Sequence, residues 1–285
     1  MIEPPWLRPL YHLSRRGAAA GEVWRELYEL PKEPLLIRAT LLEGYIPAER
    51  EVLHWDGQLA WAAVEAWDLP TPMQEIAVVP LPLALLDVLD GPDGARLPLW
   101  AASNLQPVGQ WRTDRRHWHK RYPADHADWA RKVAASVNSG RWKDRRVPAQ
   151  TVLVRELQAI CIGHRETIEA LLPLLTHVGK RTASGYGRVA RWSVVPLPLS
   201  EAEAIERILA NRPVPFASDA RRGSLPLNGR IRPRCGWTPP YWYAPWHLPC
   251  IEEEDDTLRS GPQPPRAPAG EIDWFAPIVP EEQER

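Results

Sequence analysis

The chain has 285 residues, 44% of them hydrophobic and 25% charged, with a formal net charge of −1, the balance of a folded protein of one or two domains. Its 32 prolines argue against an all-helical bundle, and its three cysteines, Cys161, Cys235 and Cys250, form no CxxC pair that would suggest a zinc site or a disulfide framework. No apolar run is long enough to span a membrane and no targeting segment opens the chain, so the expectation is a cytoplasmic protein with neither cofactor nor metal.

Residues 1–33 begin with Pro4-Pro5 and continue through Trp24, Leu27 and Leu30, a spacing that predicts a short amphipathic helix appended to the core and ended by Pro31. Pro34 to Leu42 has the length and composition of a first buried strand. Asp56 is placed to cap a helix whose inner face carries Leu59, Ala60, Ala63 and Trp67. Residues 76–89 and Arg96 to Ser103 read as partner strands across the turn Gly91-Pro92-Asp93-Gly94, with Pro80 and Pro82 shortening the first or confining it to an edge.

The near-zero total charge hides two opposed regions. Residues 111–146 hold eleven Lys/Arg and four Asp, a net +7, whereas residues 251–285 hold three Arg and ten Asp/Glu, a net −7. The basic region, within a predicted insertion at 105–148, interleaves cations with aromatics, among them Arg115, Arg116, Trp118, His119, Lys120, Arg121 and Tyr122. Cations grip phosphates and aromatic rings stack on unpaired bases, so this segment is expected to order on RNA or on a neighbouring subunit, the alternative being a solvated, disordered charge run.

Thr151 to Arg155 and Gln158 to Ile162 supply further strand material, and Arg165 to His177 a second helix bent at Pro173. A final strand follows from Val189 through Trp192, giving a β-α-β-β-α-β order, the ferredoxin-like split βαβ unit. Ser200 and Glu203 predict a capping box on a short helix to Asn211. Residues 201–250 form a C-terminal extension, irregular beyond that helix, and the acidic, proline-rich residues 251–285 are expected to be disordered.

Between the second helix and the last strand lies His177 to Val189, which contains Gly179, Lys180, Arg181, Ser184, Gly185, Tyr186, Gly187 and Arg188, with Arg191 just beyond. Glycines admit backbone conformations closed to other residues and let backbone N–H groups approach a phosphate. The helix-then-strand order differs from both familiar nucleotide loops, which follow a strand. Gly179, five residues, then Gly185-Tyr186-Gly187 resembles the G-loop of the RAMP superfamily of CRISPR-associated RNA-binding proteins. Leu53-His54-Trp55-Asp56-Gly57-Gln58-Leu59-Ala60 further resembles the opening of the first helix of the Cas-five-like subunit of type IV CRISPR systems, and the likeness covers roughly residues 34–200.

This resemblance implies an α+β, ferredoxin-like RAMP protein that caps the 5′ handle of a guide (crRNA) without cleaving it. The implied partners are a Cas-seven-like backbone subunit and a large subunit, with target DNA and a helicase met only indirectly. Its backbone clamps would be Lys180, Arg181, Ser184, Tyr186 and Arg188. Two alternatives stay open: a metal-independent repeat RNA endonuclease using His117, His119, Lys120 and Tyr122, and a scaffold whose tryptophans bind only protein. His164 and His177 flank the second helix and are expected to cap it or join the core.

Overall fold

A computed structural model describes residues 17–47, 53–67, 69, 78–91, 94–120, 145–180, 182–215, 218, 230–239, 241 and 244–252, all within one compact unit. The protein is mixed α and β with antiparallel sheets.

The organising strand is β1 (Glu33–Leu41), in which Leu35, Ile37, Ala39 and Leu41 are buried while the residues between them are not. Alternate side chains of a strand leave opposite faces, so this pattern gives β1 one core face. Helix α1 (Gly17–Glu29) precedes it, and Trp24 of that helix stacks on Trp100 at 5.6 Å within the main core. Helix α2 (Trp55–Ala66) follows β1. Strands β2 (Leu85–Asp90) and β3 (Arg96–Trp100) form a two-stranded hairpin of their own.

Next come β4 (Gln106–Val108), β5 (Arg112–Lys120), β6 (Arg145–Leu153) and β7 (Glu156–Gly163). Helix α3 (Arg165–Leu171) then leads to β8 (Val189–Pro196). The central sheet has the order β4-β7-β1-β8, with every neighbouring pair antiparallel. Cys161 belongs to the main core, whereas its neighbour Ile162 belongs to a second cluster with Ala101, Ala204 and Ile208. Helix α4 (Glu201–Ala210), which carries the last two, therefore covers the opposite face of the sheet. Its capping box is present, with the Ser200 side chain accepting from the Glu203 N–H and the Glu203 carboxylate accepting from the Ser200 N–H.

Several expectations need correction. The strand beside β7 is β4, and the β2–β3 segment meets β7 through isolated bridges at Leu83 and Ala102. Pro80, Pro82 and Pro98 each lack a donor for a longer ladder. Helix α3 ends at Leu171 and passes into a 3-10 turn at Leu172–Leu174, because Pro173 cannot continue α-helical bonding. The described part of the basic segment is not solvated coil: β5 pairs with β6 along nine register pairs, from Arg112 opposite Leu153 to Lys120 opposite Arg145.

The extension past α4 is likewise more regular than expected. It contributes a three-stranded sheet, β10 (Arg230–Cys235), β11 (Leu248–Glu252) and β9 (Val214–Pro215) in that order. Trp237 and Trp246 of this region are buried in the main core, so it completes the fold rather than lying upon it. The acidic tail beyond Glu252 lies outside the described residues, as do residues 1–16.

Candidate nucleic-acid interface

The glycine-rich loop leaves the 3-10 turn after α3 and re-enters the sheet as β8. Its three glycines all adopt positive φ: 83° at Gly179, 87° at Gly185 and 73° at Gly187. They do different work. A Cβ on Gly187 would lie 1.9 Å from the Val178 carbonyl oxygen and one on Gly179 would lie 2.5 Å from that of Ile46, whereas one on Gly185 would meet nothing within 4 Å. Close backbone packing therefore requires glycine at 179 and 187, and the backbone conformation alone asks for it at 185.

The loop's amides also face inward more than a phosphate cradle would need. The N–H groups of Lys180, Gly185 and Gly187 donate to the carbonyls of Ile46, Thr182 and Gly44 at 2.8, 2.9 and 3.0 Å. What the loop turns to solvent is side chains. Lys180, Ser184 and Arg188 are exposed, as is Arg191 on β8, where it lies opposite Thr40. Tyr186 is half-buried. Arg181 lies outside the described residues.

The other candidate stretch is the β5–β6 hairpin. Arg115 and His117 are exposed on β5, opposite Gln150 and Pro148. Arg116, Trp118, His119 and Lys120 follow the same strand, with backbone partners Ala149, Val147, Arg146 and Arg145. Arg121 and Tyr122 lie outside the described residues, so the full set His117, His119, Lys120 and Tyr122 is not assembled within them.

Sequence reasoning gave no role to the segment that lies between these two stretches. The N–H and carbonyl of Tyr45 exchange bonds with the carbonyl and N–H of Val152 in β6, at 3.0 and 2.8 Å. The flanking carbonyls of Gly44 and Ile46 accept from the loop's Gly187 and Lys180. Residues 44–46 thus act as a very short strand with the basic hairpin on one side and the glycine-rich loop on the other. Gly44 lies tight against Leu153 and the Val152 carbonyl.

The Asp-Gly of α2 also has a different role from the one expected. His54 occupies the N-cap position, without a side-chain capping bond, and Asp56 sits one residue inside the helix. The Asp56 carboxylate is buried, 3.3 Å from the buried Arg212 guanidinium, and accepts from the Tyr241 hydroxyl and the Gly57 N–H. Arg212 also donates to the carbonyls of Trp100, Ala102 and Trp237. Burial raises the Asp56 pKa above the usual carboxylate range, against the opposing pull of Arg212 and its hydrogen bonds.

His54 stacks on Tyr241 with ring centroids 3.6 Å apart. Burial, then the nearby Arg212 charge, holds its pKa down to about 3, against a partial upward pull from its bond to Asn104. This enclosed cluster therefore joins α2 to the C-terminal extension and offers no exposed acid or base. His164 caps α3 by accepting from the Thr167 N–H. Among the described residues, no group of three His, Cys, Asp or Glu side chains could hold a metal ion, and no helix is long and apolar enough to cross a membrane.

No curated protein matches the chain. Residues 134–249, which include β7, α3, the glycine-rich loop, β8, Arg212 and Tyr241, match the family model described as CRISPR type IV associated protein Csf3, and this match supports a type IV CRISPR-associated protein.

Proposed function

We propose that this protein is the Cas-five-like, guide-binding subunit of a type IV CRISPR ribonucleoprotein, a RAMP protein that holds the 5′ handle of the guide RNA and does not cleave it. Support for a ferredoxin-like core comes from the antiparallel order β4-β7-β1-β8, with α2 between the first and second of these strands in the chain and α3 between the third and fourth. In this reading the RAMP domain spans 34–200, with its basic insertion at 105–148, and 201–250 is an extension built onto it.

The observation that carries the proposal is the exposed set Lys180, Arg188 and Arg191 around a loop of three positive-φ glycines, within the segment that the type IV family model matches. Cations held on such a frame meet successive phosphates without base preference, and sequence recognition is left to guide pairing. In this reading the inserted segment also contacts the Cas-seven-like backbone subunit, and the protein helps seat the large subunit.

The test is the salt dependence of RNA affinity. Each phosphate contact contributes about 0.7 to the slope of log K against log salt for a single strand. Arg188→Glu is expected to weaken binding and flatten that slope by about one contact. An unchanged slope and affinity would remove the loop from the interface, and binding to protein partners with no RNA affinity at all would favour the scaffold.

A further inference from the structure

Resting on that RNA-binding reading, we propose that Gly44–Ile46 splices the glycine-rich loop and the β5–β6 hairpin into one binding surface for a single continuous RNA strand, with Gly44 as the positioning residue. The bonding pattern carries the argument. Residue 45 spends both its backbone groups on Val152, and residues 44 and 46 give their carbonyls to Gly187 and Lys180. Two strand spacings thus separate the loop backbone from β6, roughly 10 Å, and a third, to roughly 14 Å, reaches β5, which carries the hairpin's exposed cations. From that junction the nine residues of β5 run outward roughly 30 Å at about 3.4 Å per residue.

Cations arrive from both sides of this short strand, Lys180 and Arg188 on the loop and Arg115 on the hairpin, and all three are exposed. Gly44 sets how closely the hairpin approaches. A Cβ there would lie 2.5 Å from Leu153 Cδ2, 2.8 Å from Thr151 Cγ2 and 2.8 Å from the Val152 carbonyl oxygen. Backbone cannot yield as a flexible side-chain end can, so any side chain at position 44 must displace β6 from the loop. Gly44 carries no charge and touches no RNA; it fixes the offset between two sets of cations.

The experiment compares Gly44→Ala, Arg188→Glu and Arg115→Glu with the unaltered protein, measuring affinity and stoichiometry for a long single-stranded RNA and for an oligonucleotide of about four nucleotides, near the low end of single-strand site sizes. The expected result is one long RNA per protein, weakened by both arginine variants. Gly44→Ala should weaken the long RNA about tenfold, as expected for one lost charge-assisted contact, and leave the short one unchanged.

Two RNAs per protein, each removed by a different arginine variant, would overturn the single surface. So would a Gly44→Ala effect equal on long and short RNA, the mark of a merely structural change, or no effect on either. If Arg188→Glu left the long RNA's affinity intact, the RNA-binding reading itself would fall, and the splice with it. Hydrogen exchange on the unaltered protein needs no variant: long RNA should slow the amides of Lys180, Gly187, Tyr45 and Val152 together. Slowing at Lys180 and Gly187 with Val152 exchanging as in the free protein would contradict the splice.

Discussion

Asp56 and Arg212, 156 positions apart, meet at 3.3 Å with both side chains 2% exposed. Asp56 lies in the first turn of α2 and Arg212 follows α4, so this contact ties α2 to the start of the C-terminal extension. Removing one member of a buried pair leaves an uncompensated charge, which costs about 3–5 kcal/mol. Arg212→Met should lose about that much in urea denaturation, because it also strands the carbonyls of Trp100, Ala102 and Trp237. Stability within about 1 kcal/mol of the unaltered protein would show that the cluster is incidental.

Stability should also fall in mild acid because of His54. Its folded pKa of about 3 lies below the ordinary 6.5, so the unfolded chain takes up the proton first. The neutral ring's contribution is whole above pH 6.5 and drains away as pH falls toward 3, at up to about 1.4 kcal/mol per pH unit. His54→Phe keeps a ring against Tyr241 and cannot titrate. Its stability between about pH 7 and pH 5 should vary less than that of the unaltered protein; parallel curves would show that folding does not change the proton affinity of His54.

These two residues show where the sequence was readable and where it was not. The strand at Pro34–Leu42, read from its length and composition, and the Ser200–Glu203 box are local signals, and both appear in the structure; the loop glycines take the positive φ that glycine permits, but the amides expected to face a phosphate bond inward instead. Asp56 next to a helix start is equally well read as a cap, and only the distant Arg212 makes it an ion-pair partner. The β5–β6 pairing was hidden for a related reason. Strands rich in Arg, His and Trp lack the apolar alternation by which strands are recognised, and their partner lies beyond a separate 24-residue span, 121–144. Gly44–Ile46 carries no chemistry of its own and is defined wholly by what pairs with it.

The loop glycines should separate cleanly on substitution. Gly185→Ala costs only backbone strain, about 1 kcal/mol or somewhat more, because open space surrounds the site. Gly187→Ala adds a collision with the Val178 carbonyl and should cost several times as much. Thermal melts of the two variants check this; equal losses would mean that the loop does not pack as described.

The most direct test of the central claim is to incubate the protein with end-labelled CRISPR repeat RNA in EDTA and to run native and denaturing gels side by side. The account predicts a shifted band in the native gel, intact RNA in the denaturing gel, and loss of the shift with added salt and with Arg188→Glu. A discrete shortened product would contradict it, and would move the protein from guide holding to guide processing.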